Sequence, residues 1–120
     1  MPQSYTGNNF YACLNIAPTV SFEATVAVLA KALGIVFRED LEGKYEEYPA
    51  YRAFALGLEI ALLAPPHPEF DIRESPINCF QLLVSQATHI KSPGVAVDLG
   101  ALIETQLAAN TDLELLHDPE

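Results

Sequence analysis

Tryptophan is absent from this 120-residue chain, methionine occurs once, and cysteine occurs only twice. Two cysteines are too few for the disulfide framework of a small secreted domain. Cys13 and Cys79 both fall in segments that read as strands with apolar neighbours, so buried free thiols are expected, with a disulfide as the less favoured alternative. Basic residues are scarce as well: six Lys and Arg stand against sixteen Asp and Glu, a formal net charge of −10. A surplus of that sign repels a phosphate backbone, and nucleic acid is not expected as a direct ligand. No uncharged apolar run reaches the roughly 18 residues needed to cross a bilayer. The first basic residue is Lys31, so the positive n-region of a secretory signal is missing. These absences lead to the expectation of a soluble, cytoplasmic chain without membrane contact.

The signatures of catalysis are missing too. His67, His89 and His117 lie far apart, with no CxxC or HxxxH pattern near them, so converging metal ligands are not expected. There is no G-x-S-x-G elbow, P-loop or G-x-G-x-x-G. Cys13 and Cys79 lack the neighbouring base or positive charge that a nucleophilic thiolate needs. Carboxylates abound, but in a chain this acidic no spacing selects a general acid and base pair. No cofactor and no enzymatic activity are expected.

Half of the residues are hydrophobic and only 18% are charged, enough for one well-packed domain spanning residues 1–120. Residues 1–8 are polar and read as a loose lead-in. From Phe10 to Ile16 apolar and polar residues alternate with the period of a strand. Ser21 is a good N-cap for a helix whose Phe22, Val26, Leu29 and Leu33 precede Gly34. Ile35–Phe37 reads as a short extended piece, and Arg38–Glu47 as an exposed loop or hairpin. Ala50–Leu63 is almost wholly apolar and is expected to form one long strand, or two joined at Gly57. A proline-broken connection from Pro65 to Pro76 leads to a strand over Asn78–Ser85. Ser92, Pro93 and Gly94 are expected to turn. Asp98 is expected to cap a second helix with Leu99, Leu102, Ile103 and Leu107 in one stripe, and Leu113–Leu116 to form a last short strand. Strand, helix, strand, strand, helix, strand implies an α+β, two-layer, ferredoxin-like sandwich: a mixed or antiparallel sheet with two helices on one face.

The segment with the most distinctive composition is 38–51. It holds five acids (Glu39, Asp40, Glu42, Glu46 and Glu47) and three of the chain's five tyrosines (Tyr45, Tyr48 and Tyr51). Tyrosine offers large contact area at little rotamer entropy, and carboxylates pair with lysine or arginine across an interface. The combination suits docking onto a basic protein surface. It equally suits a solvated loop whose tyrosines cover the edge of the core. A second acidic set, Asp112, Glu114, Asp118 and Glu120, reads as a polar tail.

The stretch Tyr45-Glu46-Glu47-Tyr48-Pro49-Ala50-Tyr51, with Ala55-Leu56-Gly57-Leu58-Glu59-Ile60-Ala61-Leu62-Leu63 after it, resembles the small immunity proteins of bacterial polymorphic and contact-dependent growth inhibition (CDI) toxin systems. The resemblance covers about the middle third of the chain. It implies an antitoxin, a toxin inhibitor that binds the toxin domain of a sister or self-made effector and blocks its active site, as a monomer or weak homodimer. Against a nuclease toxin, an acidic surface would occupy the place of the phosphates. The family carries no catalytic residues. The alternative is a small-molecule sensor or enzyme subunit of ferredoxin-like fold.

Overall fold

The structure is a computed structural model, and it describes residues 5–41, 49–65, 79–87 and 90–116, with the side chains of 5–8 and 90–94 left aside. The elements in chain order are β1 (Tyr5–Ile16), α1 (Phe22–Leu33), β2 (Arg38–Glu39), β3 (Ala50–Ala55), β4 (Leu58–Leu63), β5 (Phe80–Gln86), β6 (Ile90–Asp98), α2 (Gly100–Asn110) and β7 (Leu115–Leu116). They form an α+β fold with a single seven-stranded sheet of order β2-β3-β4-β5-β1-β6, and β7 pairs with β1. The β1–β6 pair is parallel and the other pairs are antiparallel. The sequence-based plan of four strands and two helices therefore holds for the helices. The strand set is larger, because β2 to β5 run as a continuous antiparallel meander before the chain crosses to the far side of β1.

Alternation decides which side of the sheet is buried. Ala12, Ile16, Ile60, Leu62, Phe80, Leu82 and Val84 share one parity across the registers of β1, β4 and β5, and all lie in the main core. Leu29 of α1 and Leu107 of α2, both 0% exposed, pack against them. Both helices thus cover one face, and burying each leucine contributes about 2 kcal/mol. Helix α1 follows its local signals. The Ser21 hydroxyl accepts from the Ala24 N–H at 3.1 Å, and Gly34 closes the helix in the left-handed region at φ 67°.

The turn between β3 and β4 answers the question posed by Gly57. Leu56 and Gly57 both have positive φ, 55° and 76°, and Ala55 pairs with Leu58. That is the two-residue type I′ hairpin, whose twist matches the strands on either side. The apolar run is therefore two strands folded back on each other. Leucine in the left-handed region costs about 1 kcal/mol, whereas the glycine beside it has no such penalty.

Other expectations are corrected. The lead-in is shorter than residues 1–8, because Tyr5, Thr6 and Gly7 already pair with β6. Ser92, Pro93 and Gly94 make no turn; they belong to β6, and the ladder absorbs them through two register shifts. β6 is the last strand of the sheet path, where a proline is tolerated because its missing N–H is not needed on the open side. The extended residues beyond α1 are Arg38–Glu39 and not Ile35–Phe37. α2 begins at Gly100, one residue later than a cap at Asp98 requires, because the Leu99 N–H still donates to the Tyr11 carbonyl at 2.7 Å. The Asp98 carboxylate instead accepts from the Gly100 N–H at 2.8 Å. Leu102 leaves the apolar stripe and is 68% exposed. Five residues before Leu107, it points about 140° away around the helix. Cys79 is buried but Cys13 is exposed, and neither forms a disulfide. Among the described residues no helix is long and apolar enough to cross a membrane.

Candidate functional site

The run Ala50–Leu63 contains two charged residues, Arg52 and Glu59. The tight turn at Leu56-Gly57 places Arg52 opposite Ala61, and Phe54 opposite Glu59, on the face away from the helices. Arg52 is therefore a diagonal neighbour of Glu59, within reach across the ladder. Its Nε donates to Glu59 Oε1 at 3.0 Å, and Nη2 donates to the same oxygen. Two nitrogens of the guanidinium fork are thus used on one carboxylate, a charge-assisted geometry. The Glu59 side chain is only 4% exposed and that of Arg52 19%. The guanidinium also lies 5.3 Å from the centre of the Phe54 ring, a distance suited to a cation–π contact.

β2 extends this cluster. Arg38 pairs with Arg52 and Glu39 with Tyr51, so Asp40, one residue on, returns to the Arg52 side. Its Oδ1 sits 3.6 Å from Arg52 Nη1 with the carboxylate 2% exposed. That separation is longer than a hydrogen bond. Among the described residues no group donates a hydrogen bond to Asp40 Oδ1. Two arginines directly opposite one another repel, and Glu59 and Asp40 around Arg52 offset that repulsion. A groove of about 650 Å³ runs along this edge, walled by Val36, Arg38, Asp40, Leu41, Arg52 and Phe54.

The sequence nominated eight residues for partner contact, and the structure describes three of them. Glu39 is exposed at the sheet edge, whereas Asp40 is turned inward toward Arg52. Tyr51 faces the helix layer half-buried, its ring meeting Phe22 edge-on at 5.6 Å, and Phe22 in turn meets Phe80 at 5.3 Å with the rings tilted by 51°. Glu42, Tyr45, Glu46, Glu47 and Tyr48 lie outside the described residues. Arg52, Glu59 and Phe54 were missed by reasoning from composition. The available signal was the isolation of one arginine and one glutamate in an apolar run, at matching parity across a Leu-Gly turn.

A second groove, about 620 Å³, opens between the helices and is lined by Thr19, Lys31, Gln106, Asn110, Asp112 and Leu113 among others. Gln106 Nε2 donates to the Ala32 carbonyl at 3.0 Å across it. Among the described residues no three His, Cys, Asp or Glu side chains gather as a metal site would require. No protein-family model matches this chain, and neither does any curated protein or solved structure.

Proposed function

We propose that this chain is an immunity protein that binds and neutralises a cognate bacterial toxin domain through charge-complementary protein contact. The observation that carries the reading is the charge: −10 on 120 residues, with five acids concentrated in residues 38–51. A field of that sign speeds encounter with a basic partner and suits a toxin whose substrate is itself an anion, such as a nuclease. Exposed Glu39 stands at the start of the acidic segment on an edge strand. Glu42, Glu46 and Glu47, with Tyr45 and Tyr48, are nominated for partner contact by the composition of the segment and lie outside the described residues. Asp40 and Tyr51 have supporting roles, the first beside Arg52 and the second against Phe22. The resemblance of residues 45–51 and 55–63 to toxin-immunity proteins points the same way.

The test is to co-express this chain with candidate toxin domains that carry a basic substrate groove, beginning with any that a neighbouring reading frame encodes. The expected outcome is rescue of growth, co-purification of the pair, and loss of the toxin's activity at equimolar ratio. A panel of such domains of which none co-purifies with this chain or loses activity in its presence would contradict the proposal.

A second reading has one observation behind it. The polar-lined groove between α1 and α2 suits a small-molecule sensor or enzyme subunit of ferredoxin-like plan. Its mark would be a metabolite that raises the melting temperature and loses that effect in Gln106→Ala.

A further inference from the structure

Along β3 the backbone groups point alternately to the two neighbouring strands. The two-residue turn makes Ala55 and Leu58 a hydrogen-bonded pair, so Ala55, Ala53 and Tyr51 turn their N–H and C=O toward β4. Phe54, Arg52 and Ala50 turn theirs outward. The outward groups of the last two are used: the Ala50 carbonyl accepts from the Asp40 N–H at 2.9 Å, and Arg52 pairs with Arg38. β2 begins only at Arg38. Among the described residues no backbone group bonds the outward N–H or C=O of Phe54.

The place of the missing strand is a groove. Ile35 and Val36 form one bank, Ala53, Phe54 and Ala55 the other, and the volume is about 650 Å³. Phe54 is 62% exposed and Val36 74%, so the walls are hydrocarbon open to water. Arg38, also exposed, lines the groove where β2 starts, and no carboxylate among the described residues pairs with it. Glu39 pairs with Tyr51 and so lies on the other face of the sheet, and Asp40 is turned to Arg52.

We propose that this groove captures the C-terminal end of an extended peptide, which adds a short strand to β3 at Phe54 and sets its terminal carboxylate on Arg38. An open strand edge selects an extended chain. β2 occupies the same line, so the added strand has to end where β2 begins. β2 runs antiparallel to β3; a peptide laid in that direction brings its C-terminus to Arg38, whereas the reverse direction brings an ammonium to the same guanidinium. Charge therefore selects both the direction and the terminus. The residue paired with Phe54 shares its face, which favours an apolar side chain there. Charges beyond the roughly 8 Å screening length are damped at physiological salt, so the adjacent guanidinium decides the site on a chain of net charge −10. The inference goes beyond the immunity reading and does not depend on it.

The experiment has two parts. Amide hydrogen exchange of the free chain should find Phe54 fast and Ala53 and Ala55 protected; a protected Phe54 amide would mean an edge already paired and would overturn the proposal. The full chain is then titrated with a pool of labelled short peptides of valine, isoleucine and threonine that end in a free carboxylate. Binding should protect the Phe54 amide, and amidation of the peptides or Arg38→Gln should weaken it about tenfold. Phe54→Pro, which removes only an outward N–H from the backbone, should bind about fivefold more weakly than Phe54→Ala, which keeps it. Should the proline variant fail to fold, amidation and Arg38→Gln still decide. A pool that does not bind, that binds without protecting Phe54, or that binds equally well when amidated would overturn the proposal and leave the immunity reading standing.

Discussion

Arg52 is the side chain around which the charged cluster on the sheet face away from the helices is organised. It bonds Glu59, approaches Asp40 and lies over Phe54. Removing it takes from a glutamate that is 3% exposed a guanidinium bonded to its carboxylate, and breaking a buried pair from one side costs about 3–5 kcal/mol. Arg52→Met should therefore lower unfolding free energy by about 3 kcal/mol in urea titration. A loss below about 1 kcal/mol would mean that the pair behaves as an exposed salt bridge. The double variant Arg52→Met with Glu59→Leu should recover most of the loss, because an apolar pair of similar size removes both charges together. Part of this was legible at the residue scale. Alternation along Phe10–Ile16 already set Cys13 on the same side as Tyr11, and the structure leaves both exposed. The expectation of a buried Cys13 went wrong by weighing residue type over parity. The approach of Asp40 to Arg52 was not legible, since it depends on β2 pairing with β3 across a segment rich in glutamate and tyrosine.

Elements defined by local chemistry were the ones the sequence made plain. α1 has its Ser21 cap and its left-handed Gly34 in the expected places, and the structure sets Glu23 in its first turn and Lys31 in its last. Ser21→Ala should cost about 1 kcal/mol by freeing the Ala24 N–H. Gly34→Ala should cost about 1 kcal/mol as well; a Cβ there meets no atom within 4 Å, so the loss is one of backbone conformation alone. Chemical denaturation of both variants checks this, and an unchanged midpoint for Gly34→Ala would contradict the left-handed cap. α2 was misplaced by one residue for a reason outside the helix, the bond from the Leu99 N–H to Tyr11. A Cβ at Gly100 would come within 2.9 Å of the Asp98 carboxylate, so glycine at this helix start permits the side-chain bond that replaces the cap. β6 was illegible because its partner is β1, some eighty residues earlier, in a parallel pairing that tolerates Pro93 and Gly94 only through register shifts. Composition alone reads Ser-Pro-Gly as a turn.

At the scale of the whole molecule, the sheet divides the labour. One face is closed by two helices over a core of leucine, isoleucine, valine and phenylalanine. The other carries the Asp40, Arg52 and Glu59 cluster at the β2–β3 end and exposed Cys13 and Tyr11 on β1. Class and helix placement followed from hydrophobic periodicity, whereas the seven-strand order required pairings between distant segments. The charge surplus was visible at once and is the basis of the functional proposal. Its most direct test is the association rate of this chain with the toxin domain it neutralises in co-expression, measured at rising ionic strength for the parent and for Glu46→Lys with Glu47→Lys. Steered association predicts a fast rate at low salt, roughly tenfold slower at 0.5 M, with the charge-reversed variant slow throughout. A rate indifferent to both salt and charge reversal would contradict the account.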